Sequence, residues 1–145
     1  MTRPLPTTSR SLPIALIRAR EGVMSPIRDM LSETGITEQQ WRTLRVLGEF
    51  GRMDTKTLAD RSSLLFPSMT RIVATMLKKG LVTQTQGTDD RRRRYVEITS
   101  HGQRIIDDYA PQAASIAESY KRVLGEQDYE TLLDLLTKLD PGAQT

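Results

Sequence analysis

Between Met53 and Ile98 the hydrophobic period of the chain changes in an order that leaves few folds open. A short helix is expected from Asp54, whose carboxylate can cap the N–H groups of Thr55 to Thr57. Leu58 and Ala59 then turn inward, while Lys56 and Asp60 stay in water. A turn is expected at Arg61 to Leu65. A second helix runs from about Pro67, which has no N–H to leave unpaired in a first helical turn, to Lys79. Gly80 ends it, because glycine takes the left-handed conformation at little cost. Met69, Ile72, Val73 and Met76 recur at helical spacing and form its buried stripe. Beyond Gly80 the period falls to two. Leu81 to Gln86 and Tyr95 to Thr99 read as strands carrying Val82, Val96 and Ile98. Helix, turn, helix, strand, charged loop and strand is the order of a winged helix-turn-helix. Such a module sets its second helix in a DNA groove and its β-loop alongside.

The residues on the outer faces have the chemistry for that task. Ser68, Thr70, Arg71, Thr75 and Lys78 share the polar side of the second helix, a side without an acid. No Ser, Thr, Asp or Asn directly precedes Pro67, so the helix start leaves N–H groups for a phosphate. The loop between the strands is Gly87-Thr88-Asp89-Asp90-Arg91-Arg92-Arg93-Arg94. Arginines at a hairpin end suit a minor groove, whose negative potential attracts them. Asp89 and Asp90 can pin neighbouring guanidinium groups, and residues two apart on an extended strand share a face, which would pair Asp90 with Arg92. A basic run alone is usually a solvated face. Here its place directly after a basic helix favours nucleic acid. The expected DNA contacts are Thr55, Lys56, Ser68, Thr70, Arg71, Thr75, Lys78, Asp90, Arg91, Arg92 and Arg93.

Charge is distributed to match. Residues 51–100 hold ten Lys and Arg against five Asp and Glu, whereas residues 101–145 hold four against eight. The positive end would face a duplex and the acidic end would turn away. The chain has no cysteine, which removes disulfides and thiolate metal sites from consideration. No apolar run would span a membrane or serve as a signal peptide, and a cytoplasmic location is expected. The single histidine, His101, has no Cys or second His beside it, and Asp107 and Asp108 are adjacent on a helix and so face apart. No phosphate-binding glycine loop or nucleophile motif is present. The expectation is therefore no enzyme, no metal and no cofactor.

The flanks read as helices. Residues 1–10 form a polar arm expected to be mobile. Ser11 to about Thr34 is expected as a helix capped by Ser11 or Ser9, apolar on more than one side, with Pro26 kinking or breaking it. Thr37 and Gln40 form a capping box before Trp41, Leu44, Leu47 and Phe50, all expected to face the core, and Gly48 and Gly51 loosen that helix's end. Thr99 caps a long helix to Gly125, bent at Pro111. Glu126 or Asp128 opens the last one, with Tyr129, Leu132, Leu135, Leu136 and Leu139 on one side and Asp140-Pro141-Gly142 as its stop. Both C-terminal helices carry more apolar stripe than one chain can cover. A two-fold dimer would cover it and set two recognition helices about 34 Å apart on a pseudo-palindromic operator. The expected architecture is mainly α with a small β-wing. It divides into an arm (1–10), an N-terminal dimerisation helix (11–35), a winged helix-turn-helix (36–99) and C-terminal dimerisation helices (100–140).

The chain resembles the MarR family of transcriptional regulators. The likeness runs from about Ser11 to Leu139 and is carried by Ile36-Thr37-Glu38-Gln39-Gln40-Trp41, Leu58-Ala59, Ser68-Met69-Thr70-Arg71, Lys78-Lys79-Gly80-Leu81-Val82, Asp90-Arg91-Arg92, and Ile98-Thr99 followed by Gly102. Ser11 to Leu16, Ala19-Arg20-Glu21, Thr37 to Leu47 and Pro67-Ser68 are similar to the branch that represses hydroxyphenylacetate-degradation genes. The resemblance implies a homodimeric repressor released from double-stranded DNA by a small aromatic carboxylate. It implies a cleft between the dimer helices and the DNA module, which here would collect Arg18, Arg20, Met24, Trp41 and Arg45. An arginine fork suits a carboxylate, and Trp and Met suit a ring. The plainer alternative makes Trp41 core and the arginines surface ion-pair partners, for example Arg18 with Glu21. Rival functions for the same fold are regulation through protein contacts without DNA, and, within the resembled family, control of stress or efflux genes.

Overall fold

The computed structural model describes residues 3–144. Six helices and three short strands follow one another as α1 (Leu12–Leu31), α2 (Glu38–Phe50), β1 (Met53–Asp54), α3 (Thr55–Arg61), α4 (Phe66–Lys78), β2 (Val82–Gln86), β3 (Arg94–Ile98), α5 (Ser100–Leu124) and α6 (Glu126–Leu139). Short 3-10 turns lie at Thr8–Arg10 and Pro141–Gln144. No helix among the described residues is long and apolar enough to cross a membrane.

The core sits where α2, α3, α4 and the sheet meet. Leu44, Leu47, Leu58, Met69, Val73, Met76, Leu81 and Val96 are each 1% exposed or less. Burying side chains of this size stabilises a fold by about 1.5–3 kcal/mol each. The stripe of α4 is thus the expected one, with Ile72 at its half-buried edge. Gly80 has φ +71° just past α4, as its role as a stop requires. The box between Thr37 and Gln40 is complete: each side chain accepts from the other's backbone N–H at 3.1 Å. Thr99 caps α5 by accepting from the Gly102 N–H, also at 3.1 Å.

The sheet has one strand more than the sequence suggested. Met53–Asp54 pairs antiparallel with β3, giving the order β1-β3-β2, with Met53 opposite Val96 and Val82 opposite Ile98. Two residues are too few for an alternating pattern to register, so β1 exists because β3 offers it an edge. Asp54 does precede α3, but its carboxylate accepts from the Thr57 hydroxyl rather than from a helix N–H.

Several local expectations are corrected by packing. The prolines interrupt neither long helix, for α1 runs on through Pro26 and α5 through Pro111. Each loses one backbone hydrogen bond, and the break expected as one outcome at Pro26 is absent. The first helix ends at Leu31, not Thr34, and Ser11 makes no side-chain cap bond. Phe50 is 54% exposed, with the Arg61 guanidinium 4.4 Å from its ring centroid, instead of lying in the core. Gly48 does not loosen α2: a Cβ there would meet Ile106 Cδ1 of α5 at 3.0 Å, so its bare surface lets the two helices close. In the arm, Thr8–Arg10 is a defined turn, with Arg18 donating to Thr8 Oγ1 at 3.2 Å; Met1 and Thr2 lie outside the described residues.

Candidate nucleic-acid interface

The outer face of α4 carries Thr70, Arg71, Thr75 and Lys78 in solvent, with Ser68 half-buried. Ser68, Arg71 and Thr75 border an open groove of about 340 Å³ whose other wall is Thr37, Gln39 and Gln40 at the start of α2. The helix begins without a side-chain cap at Leu65, so its first N–H groups point outward unpaired by any capping side chain. The hydroxyls are less donor-like than their residue type suggests. Thr70 donates to the Phe66 carbonyl and Thr75 to that of Arg71, each at 3.2 Å. They present lone pairs and methyls outward, leaving Arg71 and Lys78 as the face's charged donors.

On α3, Lys56 is exposed, but Thr55 is 7% exposed and its hydroxyl donates to the Arg94 carbonyl at 3.2 Å. The expected DNA contact at Thr55 is therefore corrected: this hydroxyl ties α3 to the sheet. Sequence spacing could not show that, because the strand it meets lies 39 residues away.

The wing tip is a turn, not an extended strand. Arg93 N–H donates to the Asp90 carbonyl at 3.1 Å, and Gly87 N–H to the Arg93 carbonyl at 2.9 Å. Asp90 does pair with Arg92, through both the Arg92 backbone N–H (2.9 Å) and its Nε (3.3 Å). Those bonds, the backbone one first, hold the Asp90 carboxyl below its ordinary pKa. The carboxylate engages one guanidinium nitrogen, not two, and Asp89 joins no ion pair among the described residues. The four arginines separate by role. Arg94 belongs to β3, the Tyr95 side chain raises the pKa of Arg93, and Arg92 is tethered to Asp90. Arg91 has no side-chain partner among the described residues, and Gln86 Nε2 donates to its carbonyl at 2.7 Å.

Residues that the sequence left unmarked complete the arrangement. Arg52 lies over the Tyr95 ring, 4.2 Å from its centroid, and donates to Thr85 Oγ1 at 3.3 Å. Lys79 Nζ donates to the Gly35 carbonyl at 2.5 Å and to Gln40 Oε1 at 3.0 Å. It thereby fastens the end of α4 to the start of α2. Only the Lys78-Lys79-Gly80 run hinted at it, and a run does not say which lysine turns inward.

A second open groove, about 660 Å³, lies behind this face and is lined by Arg20, Arg28, Leu31, Ser32, Gly35, Ile36, Thr37, Glu38 and Gln39. Of the five expected ligand residues only Arg20 lines it, and it donates to Glu38 Oε1 at 2.5 Å. Trp41 is 6% exposed in the core, Met24 is half-buried, and Arg45 is exposed. Arg18 holds Thr8, and Glu21 pairs with Arg28 rather than with Arg18. Neither of the two grooves gathers the five together.

Asp90→Ala should weaken DNA binding at every salt concentration, although it removes a negative charge from a basic loop. Without the carboxylate, the Asp90–Arg93 turn loses its side-chain bonds to Arg92, and the tip must be ordered on binding. Fluorescence anisotropy across a salt series measures this. Tighter binding by the variant would show that the loop acts only as diffuse charge.

A basic recognition helix beside an arginine-tipped hairpin, both carried on one buried core, defines a winged helix-turn-helix DNA-binding protein. The MarR family model matches residues 36–93. The HTH-type transcriptional regulator FarR of Neisseria gonorrhoeae is 36% identical over 93% of this chain and 94% of its own length. The homoprotocatechuate degradative operon repressor of Escherichia coli is 36% identical over 90% of this chain and 86% of its own. The crystal structure of NadR in complex with 4-hydroxyphenylacetate superposes with a TM-score of 0.82 at 33% identity, covering 96% of this chain and 99% of that one. The chain belongs to the MarR family and is a DNA-binding transcriptional regulator, not an enzyme.

Proposed function

We propose that the chain is a cytoplasmic, dimeric repressor of an aromatic-acid catabolic operon, relieved by a small aromatic carboxylate. The observation that carries this reading is the likeness along nearly the whole chain to a repressor of homoprotocatechuate degradation and to a structure holding 4-hydroxyphenylacetate. In this reading Ser68, Thr70, Arg71, Thr75 and Lys78 of α4, with Lys56 of α3, meet the major groove and its phosphates. Arg91, Arg92 and Arg93 flank the minor groove, with Asp90 holding the tip. A second copy covers the exposed leucines of α6 and sets two such modules on a pseudo-palindromic site.

Release follows from contacts already present. An aromatic acid seated beside Arg20 would compete with Glu38 for the Arg20 guanidinium. Glu38 opens α2, whose Gln40 receives Lys79 at the end of α4. A shift at the start of α2 therefore reaches the recognition helix through one side chain. The ligand need only favour the shifted state, and couplings of this kind change affinity by about 5- to 150-fold.

The test is a salt titration of binding to genomic DNA fragments selected by the protein, repeated with 4-hydroxyphenylacetate and related aromatic acids. A steep fall in affinity with salt is expected, with release by at least one acid and a blunted response in Arg20→Met. Binding without salt dependence would support the protein-contact rival. DNA affinity indifferent to every acid would leave a regulator without this ligand class.

A further inference from the structure

Two large apolar side chains stand in solvent where the chain enters α4. Leu65 is 76% exposed and Phe66 52%. The preceding residue, Leu64, is the turn residue that packs against the core. Leu65 is the N-cap residue of α4 but its side chain caps no N–H, and neither it nor Phe66 joins the buried cluster. A scattered exposed leucine calls for no explanation. Two apolar residues together, at the end of the helix that in this module reaches base edges, do call for one. Phe66 lies one turn before Thr70, whose hydroxyl bonds the Phe66 carbonyl, so the two side chains share a flank of α4. The groove bordered by Ser68, Arg71 and Thr75 lies on the other flank. The helix tip is thus apolar on one side and polar on the other.

A phosphate gains nothing from a phenyl ring. In the major groove the apolar group on offer is the C5-methyl of thymine. We propose that Phe66, with Leu65 beside it, reads a thymine methyl, so that each half-site carries a thymine where the tip of α4 meets the groove floor. This rests on the reading of α4 as the groove helix.

The full-length protein would first select its own sites from a random DNA pool. Each thymine of the selected half-site would then be replaced by deoxyuridine, which deletes the methyl and leaves the hydrogen-bonding pattern intact. At one thymine the replacement should weaken binding by about fourfold per half-site, as expected for one buried methyl group. Phe66→Ala should bind the methylated and demethylated sites equally, and Phe66→Leu should restore most of the discrimination. Thermal melting should be unchanged in both variants, since Phe66 is outside the core. If no thymine responds, or if the two losses simply multiply in Phe66→Ala, the methyl contact is refuted. If the pool yields no enriched sequence, the groove-helix reading falls and this inference with it; enriched sites indifferent to methyl groups would refute the inference alone.

Discussion

Gly102→Ala is expected to destabilise the fold by about 2 kcal/mol, within the range for overpacking a closed core. The usual rule for a helix interior points the other way, since alanine is favoured over glycine by about 1 kcal/mol. Here the added Cβ would lie 2.5 Å from the Leu81 carbonyl oxygen and 2.8 Å from Ile98 Cγ1. The first of these is backbone, and it already accepts the Thr99 N–H at 3.0 Å. Thr99 also donates its hydroxyl to the Gly80 carbonyl at 2.7 Å. Relief of the clash would have to pull α5 away from the end of the recognition helix. Urea unfolding should show a lower midpoint at unchanged slope, and operator affinity should fall with it. An unchanged or raised midpoint would mean that α5 moves aside freely and does not brace the DNA module.

Leu136→Asp should convert the proposed dimer to monomers. Leu132, Leu133, Leu135, Leu136 and Leu139 are between 37% and 57% exposed on α6, and Leu12, Leu16 and Ile17 are likewise exposed on α1. A carboxylate placed in that apolar contact would be buried without a partner, at a cost of several kcal/mol. Sedimentation at low micromolar concentration should give twice the chain mass for the native protein and once for the variant. Operator binding should fall by about 10²- to 10⁴-fold, because the second half-site is no longer tethered to the first. Far-ultraviolet circular dichroism should stay helical. A native protein that sediments as a folded monomer would sink both the dimer and the two-fold operator.

Much of the module was legible because its signals are local. The stripe from Met69 to Met76, the stop at Gly80 and the Thr37–Gln40 box each depend on side chains within a turn or two of one another. The Asp90–Arg92 pair was also legible, though through a turn in place of the extended strand assumed for it. Residues whose role depends on a distant partner were misread. Thr55 has the composition of a DNA contact but meets a strand carbonyl. Phe50 falls on the periodic face of α2 yet lies past the end of the core. Gly48 looks like a weak helix position until α5 arrives beside it.

The sequence by itself determined the order of the helices and of the hairpin strands, the caps at Thr37 and Thr99, the stop at Gly80, and the basic character of one helix face and one hairpin, since period and capping act over a few residues. Only the tertiary structure decided that Met53–Asp54 is a strand, that Lys79 fastens α4 to α2, and that Arg52 lies over Tyr95. Those contacts join residues far apart in the chain, and no local preference encodes them. They form because burying the shared stripe of α2, α3 and α4 brings their backbones together, and the polar groups then bond to whatever that packing sets within reach.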